Sequence, residues 1–149
     1  MTGKRLCSKI VCGLFAAMAV ASIVVMGAGA TAVDYAYSFS FNQYQYEQYT
    51  RTLTKDNNTD LYFRVNKTSG GAVLARAYGC KYSRPQTDNE ANGRVDCSGG
   101  YYYTMRLNYA TYMRNWVHEN GYTYASIKGT PTTSTNAGVE GVWSADSVK

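Results

Sequence analysis

The stretch Asp34-Tyr35-Ala36-Tyr37-Ser38-Phe39-Ser40-Phe41 alternates without a break. Tyr35, Tyr37, Phe39 and Phe41 fall on one side, and Asp34, Ala36, Ser38 and Ser40 on the other. Side chains of an extended strand point to opposite faces in turn, so a period of two marks a strand with one face in a core. Alternation continues at Tyr44 and Tyr46, then passes to odd positions at Tyr49, Arg51 and Leu53. That switch predicts a bulge or bend near Glu47-Gln48.

The same period recurs downstream. Lys55-Asp56-Asn57-Asn58-Thr59-Asp60 is a turn cluster. Leu61, Phe63 and Val65 then alternate with Tyr62, Arg64 and Asn66. Thr68-Ser69-Gly70-Gly71 predicts a turn into a strand from Ala72 to Tyr78. Tyr101, Tyr103, Met105, Leu107 and Tyr109 oppose Tyr102, Thr104, Arg106 and Asn108, a further strand pattern. The period then changes. Tyr109, Tyr112, Met113, Trp116 and Val117 lie at helical spacing, with Thr111 as a cap and Asn120-Gly121 as a left-handed end. A strand with Ala125 and Ile127 inward is expected over Tyr122 to Lys128. A Thr-rich loop surrounds Pro131, and a last strand runs from Val139 to Trp143. The pattern predicts a mainly β domain: an antiparallel β-sandwich or open barrel of about seven strands with one short helix.

Upstream of the deciding stretch the chain changes character. Lys4, Arg5 and Lys9 form a positive segment, and Ile10 to Val33 carries no charge. Ala28-x-Ala30 and Ala30-x-Ala32 place small residues where a signal peptidase needs them. Residues 1–32 therefore read as a secretory signal peptide, cleaved after Ala30 or Ala32, and residues 33–149 as one secreted β-rich domain, extracellular or cell-surface. A membrane would be met only through an uncleaved signal segment. The full chain of 149 residues has a formal charge of +5. Lys4, Arg5 and Lys9 supply three of those positive charges, so the mature part stands at +2. That balance excludes a nucleic-acid partner chosen by bulk charge.

Cys7 and Cys12 belong to the signal segment, which leaves Cys80 and Cys97. In an oxidising space these predict one disulfide, closing a loop with 16 residues between the sulfurs. Such a loop is worth about 3 kcal/mol in the chain-entropy account. Within it, Asp88, Glu90, Asn92 and Asp96 echo a calcium loop, but Gly99 stands where the bidentate Glu belongs. The expectation is a solvated polar loop with no metal and no cofactor. His118 is the single histidine. It has no nucleophile elbow or oxyanion loop to work with, so a surface or capping role is expected and no catalytic residue is assigned. The chain reads as a binding protein and not as an enzyme.

The tyrosines point to what it binds. All 15 lie beyond residue 32. Tyrosine has an apolar face and a polar tip, which suits a half-wet surface that stacks on sugar rings or meets a protein. Tyr101-Tyr102-Tyr103 must present rings on both faces of a strand. With Tyr101 and Tyr103 inward, Tyr102 faces out. Tyr102, Tyr122, Tyr124 and Trp143 are the candidate contacts, with Arg106 and Lys128 supplying charge. The expected partner is a cell-wall glycan, a lipid-linked precursor or a surface protein. The alternative is a structural surface protein that self-associates through sheet edges without a small ligand.

Asp34 to Phe41 directly after the signal segment, His118-Glu119-Asn120-Gly121-Tyr122-Thr123-Tyr124-Ala125, and Gly141-Val142-Trp143-Ser144-Ala145-Asp146-Ser147 together resemble a family of small exported proteins of Gram-positive bacteria. That family has no established function, and the matching motifs look structural, so the resemblance carries over no catalytic residues. In size, export signal and aromatic content the chain is similar to lactococcin-type bacteriocins. The resemblance implies action at the cell envelope, bacteriocin-like in kind.

Overall fold

In the computed structural model, residues 33–83, 93–133 and 136–147 are described. The expected signal peptide, residues 1–32, lies outside them. The deciding stretch forms β1 (Tyr35–Ser40), as its alternation predicts. It is followed by β2 (Gln48–Tyr49), β3 (Leu53–Thr54), β4 (Leu61–Thr68), β5 (Val73–Cys80) and β6 (Arg94–Asp96). β7 (Tyr103–Met105), β8 (Ala110–Met113), β9 (Tyr124–Pro131) and β10 (Gly138–Ser144) complete the described elements. Several of these are very short, which is why about seven were visible as hydrophobic patterns.

The strands make two antiparallel sheets that are not closed into a barrel. The first has the order β1-β10-β4-β8. In the second, β9 and β5 lie side by side, with β2 and β3 against the free side of β9 and β6 and β7 against that of β5. Tyr37, Phe39, Phe63, Val65 and Trp143 of the first sheet share one core with Val73, Ala75, Ala77 and Ile127 of the second. Contact is close: a Cβ at Gly129 on β9 would run into the ring of Phe39 on β1. Tyr37 stacks on Phe63 at 4.6 Å and donates its hydroxyl to the carbonyl of Arg64 at 3.1 Å. A buried tyrosine thus keeps its polar tip satisfied.

Glu47, where a bulge or bend was expected, lies in the irregular segment before β2, and a turn over Asn42 to Gln45 precedes it. Asn42 Oδ1 accepts the N–H groups of Tyr44 and Gln45, and the chain then crosses from the first sheet to the second. β7 is shorter than expected. Arg106 to Tyr109 form a turn, closed by Tyr109 N donating to Arg106 O at 3.0 Å, with Asn108 at φ 61°. β9 runs on through Pro131, where a loop was expected.

The expected helix is absent among the described residues. Ala110 to Met113 instead pair with β4, Tyr62 opposite Tyr112 and Leu61 opposite Met113. Met113, Asn115 and Val117 are buried, while Tyr112 and Arg114 are exposed and Trp116 is half-buried. That is a period of two. Only the end of the predicted helix survives, as a single turn. Tyr122 N donates to Val117 O and Gly121 N to His118 O, with Gly121 at φ 80°, the hydrogen-bond pattern that closes helix C-termini.

The expected disulfide is also absent. Cys80 and Cys97 are free and buried. Cys97 belongs to the core, where its N–H bonds to Ala77 O at 3.0 Å. Cys80 lies three residues beyond Ala77 on β5, on the opposite face by strand alternation, paired with Arg94. Two cysteines whose Cβ vectors point to opposite faces of a sheet cannot be bridged without moving the backbone.

Candidate functional site

The two sheets place the predicted contact residues apart. Trp143 is fully buried in the core, so it contacts no ligand. Its position on β10 shares the inward parity of Val139 and Gly141. Lys128 is not a free charge either. Its ammonium pairs with Glu47 at 2.8 Å, and its side chain is only 11% exposed. Tyr122 packs half-buried against the core. Tyr124 is half-buried on β9, where it lines a cleft of about 330 Å³ with Tyr35, Thr54 and Asp56. Asp146 borders the same cleft, but Lys55 and the N–H of Asp56 occupy its two oxygens. Arg106 is exposed in the turn after β7. His118 is exposed in the single turn, as a surface residue should be.

Asp88, Glu90 and Asn92 lie outside the described residues. Asp96 is engaged locally: its Oδ1 accepts Ser98 N at 2.8 Å, and its Oδ2 pairs with Arg76 at 3.5 Å. Among the described residues no group of His, Cys, Asp and Glu could hold a metal ion.

Tyr102 is the candidate that leads to a site. It is 57% exposed, and the Arg76 guanidinium carbon lies 5.8 Å from its ring centroid. The neighbouring Tyr101 also faces solvent, contrary to strict alternation, because the chain turns there: Tyr101 N donates to Ser98 O at 3.1 Å. The turn brings Tyr101 onto Trp116, with ring centroids 6.2 Å apart and planes within 17°. Arg114 covers Trp116 at 4.8 Å. The N–H of Arg114 donates to the Tyr103 hydroxyl at 2.9 Å, which fixes the extended segment after β8 against β7. Gly99, at φ 61°, is required by this packing, since a Cβ there would enter the Trp116 ring.

Two groups of contacts meet where Tyr101 and Tyr102 adjoin in the chain, Tyr101 with Trp116 and Arg114, and Tyr102 with Arg76, and together they make a ledge of rings and guanidinium groups. Stacked aromatic and cation–π pairs of this kind hold one another in place. The ledge is therefore ordered before any ligand arrives, and it still presents ring faces to solvent. Sequence reasoning found Tyr102 but missed Arg114 and Trp116, because a helical reading spread them around a cylinder. No sequence signal marks them, because the inward positions Thr111 and Asn115 are polar and hide the period of two.

The family described as Protein of unknown function (DUF2712) matches residues 22–147, and the chain belongs to it. No curated protein and no solved structure matches it.

Proposed function

We propose that this family member is a secreted binding protein acting at the bacterial cell envelope, and that it binds through the ledge of Tyr101, Tyr102, Trp116 and Arg114. The observation that carries the reading is the parallel Tyr101–Trp116 pair at a solvent-facing edge, flanked by Arg114. Rigid aromatic surfaces next to arginine are the composition of binding hot spots. Ring faces also stack on the apolar faces of sugars, which suits a wall glycan or a lipid-linked precursor. The resemblance to exported proteins of Gram-positive bacteria supports the location, and an antimicrobial role is the bacteriocin-like form of the reading.

The test is co-sedimentation with purified cell walls. The parent protein is expected to pellet, and a Tyr101→Ala/Trp116→Ala double variant to stay in solution, while Tyr124→Ala behaves as the parent. A double variant that pellets as fully as the parent removes the ledge as the site. The self-associating alternative rests on β8, an edge strand with exposed Tyr109 and Tyr112 beside it. Concentration-dependent sedimentation without wall material would favour that alternative.

A further inference from the structure

Resting on that reading, we infer that the ledge takes an elongated anionic saccharide, a chain of sugar rings bearing carboxylate or phosphate groups. Three observations point there. First, the site is a row. Tyr112, Arg114 and Trp116 stand at every second position of an extended segment whose intervening residues, Met113 and Asn115, are buried. At the usual rise per residue the row spans about 13 Å. Tyr62, directly opposite Tyr112 on β4 and 5.6 Å from it, widens the row at one end, and Tyr101 stacks on Trp116 at the other.

Second, the row alternates ring, guanidinium, ring. The exposed rings of Tyr101, Tyr102 and Tyr112 take the apolar faces of sugars, while Trp116 is half-buried against Tyr101 and Arg114. The guanidinium fork over Trp116 matches a carboxylate or phosphate in a way a neutral hydroxyl does not. Among the described residues Arg114 has no ion-pair partner, and the acid Asp96 is held by Arg76 and Ser98. Third, the row is an open ledge. Small-molecule sites are concave and enclose most of their ligand. An open row instead gains affinity from several modest contacts repeated along a polymer.

A single-stranded nucleic acid is also a chain of rings and anions. It carries a charge at every unit, and proteins that bind it track the backbone with a basic groove. Here Arg114 is the one cation inside the row, so widely spaced charges on a glycan fit better.

The experiment is a titration followed by Trp116 fluorescence, with Trp143 contributing a constant buried background. The probes are oligomers that alternate a uronate with a neutral N-acetylhexosamine (dimer, tetramer and octamer), neutral N-acetylhexosamine oligomers of the same lengths, and an oligothymidylate. The parent is expected to bind the acidic tetramer about tenfold more tightly than the neutral one and than the acidic dimer. Arg114→Gln should remove that preference, and Arg114→Lys should restore part of it. The parent's own preference decides the point without any variant. Equal binding of acidic and neutral oligomers, affinity independent of length, or tighter binding of oligothymidylate overturns the inference. If any of these is seen while Tyr101→Ala/Trp116→Ala still abolishes wall sedimentation, the anionic ligand class fails and the ledge stands. If wall sedimentation is unaffected by that double variant, the ledge itself fails.

Discussion

Cys80 is a thiol held out of water on the outer face of β5, beside the Arg94 guanidinium. Burial is the larger influence and pushes it up to about 11 from an ordinary value of 9.0, with Arg94 acting in the opposite sense. Burial raises Cys97 and Tyr37 in the same direction. The folded chain therefore keeps protons that the unfolded chain loses. Stability follows the difference in bound protons, so this contribution is whole below about pH 9 and falls as pH rises toward about 11. Urea midpoints measured across that interval should drop, and Cys80→Ala should flatten the drop. A slope unchanged by Cys80→Ala would mean that the thiol is solvated or bonded. The fate of these two cysteines was not legible in the sequence. Spacing gives the size of a loop, but not which face of a strand each end occupies. The same lack of facing information put Trp143 and Lys128 on the surface in advance, although one is core and the other is held by Glu47.

At the level of the element, β1, β4 and β10 were readable because apolar and polar residues alternate along them. The stretch from Thr111 to Val117 was not, because two of its inward positions are polar. Asn115 is buried as an amide with its bonds made inside the protein. Its Nδ2 donates to Thr59 O at 3.0 Å and to Met113 O at 3.3 Å, and its Oδ1 accepts Val117 N at 3.3 Å. A buried polar residue with satisfied partners erases the hydrophobic alternation on which sequence reading depends, and the remaining aromatics happen to fall at helical spacing. Asn115→Ala leaves the buried Val117 N–H without its acceptor, while Thr59 O keeps its bond from Lys55. The expected cost is about 1–3 kcal/mol, seen as a lower urea midpoint. A variant as stable as the parent would show that water replaces the amide. Because Asn115 separates Arg114 from Trp116, the same change should also loosen the ledge.

Across the whole molecule, the ends of the two sheets are tied by Lys55, which follows β3, and Asp146, which follows β10. The Lys55 side chain is fully buried. It donates to Asp146 Oδ1 at 2.9 Å and to Thr59 O at 2.6 Å. Ser147 adds a bond from its hydroxyl to Asp60 O at 2.7 Å. Asp146→Ala would strand a buried ammonium, which costs about 3–5 kcal/mol. Guanidinium unfolding should show that loss, and a loss below about 1 kcal/mol would place the pair among solvent-screened ones. The two-sheet class was legible from the sequence, whereas this tie was not, because its partners lie 91 residues apart. A similar separation governs β1, whose strand partner among the described residues is β10. Residues 35–40 cannot enter a sheet until residues 138–144 exist to receive them. A chain emerging N-terminus first from the ribosome must therefore wait, with its most aromatic strand unsheltered, until β10 emerges. Long-range pairing of this kind folds slowly and leaves apolar segments open to aggregation meanwhile. A holding chaperone that met the growing chain would find its task in the stretch from Tyr35 to Phe41.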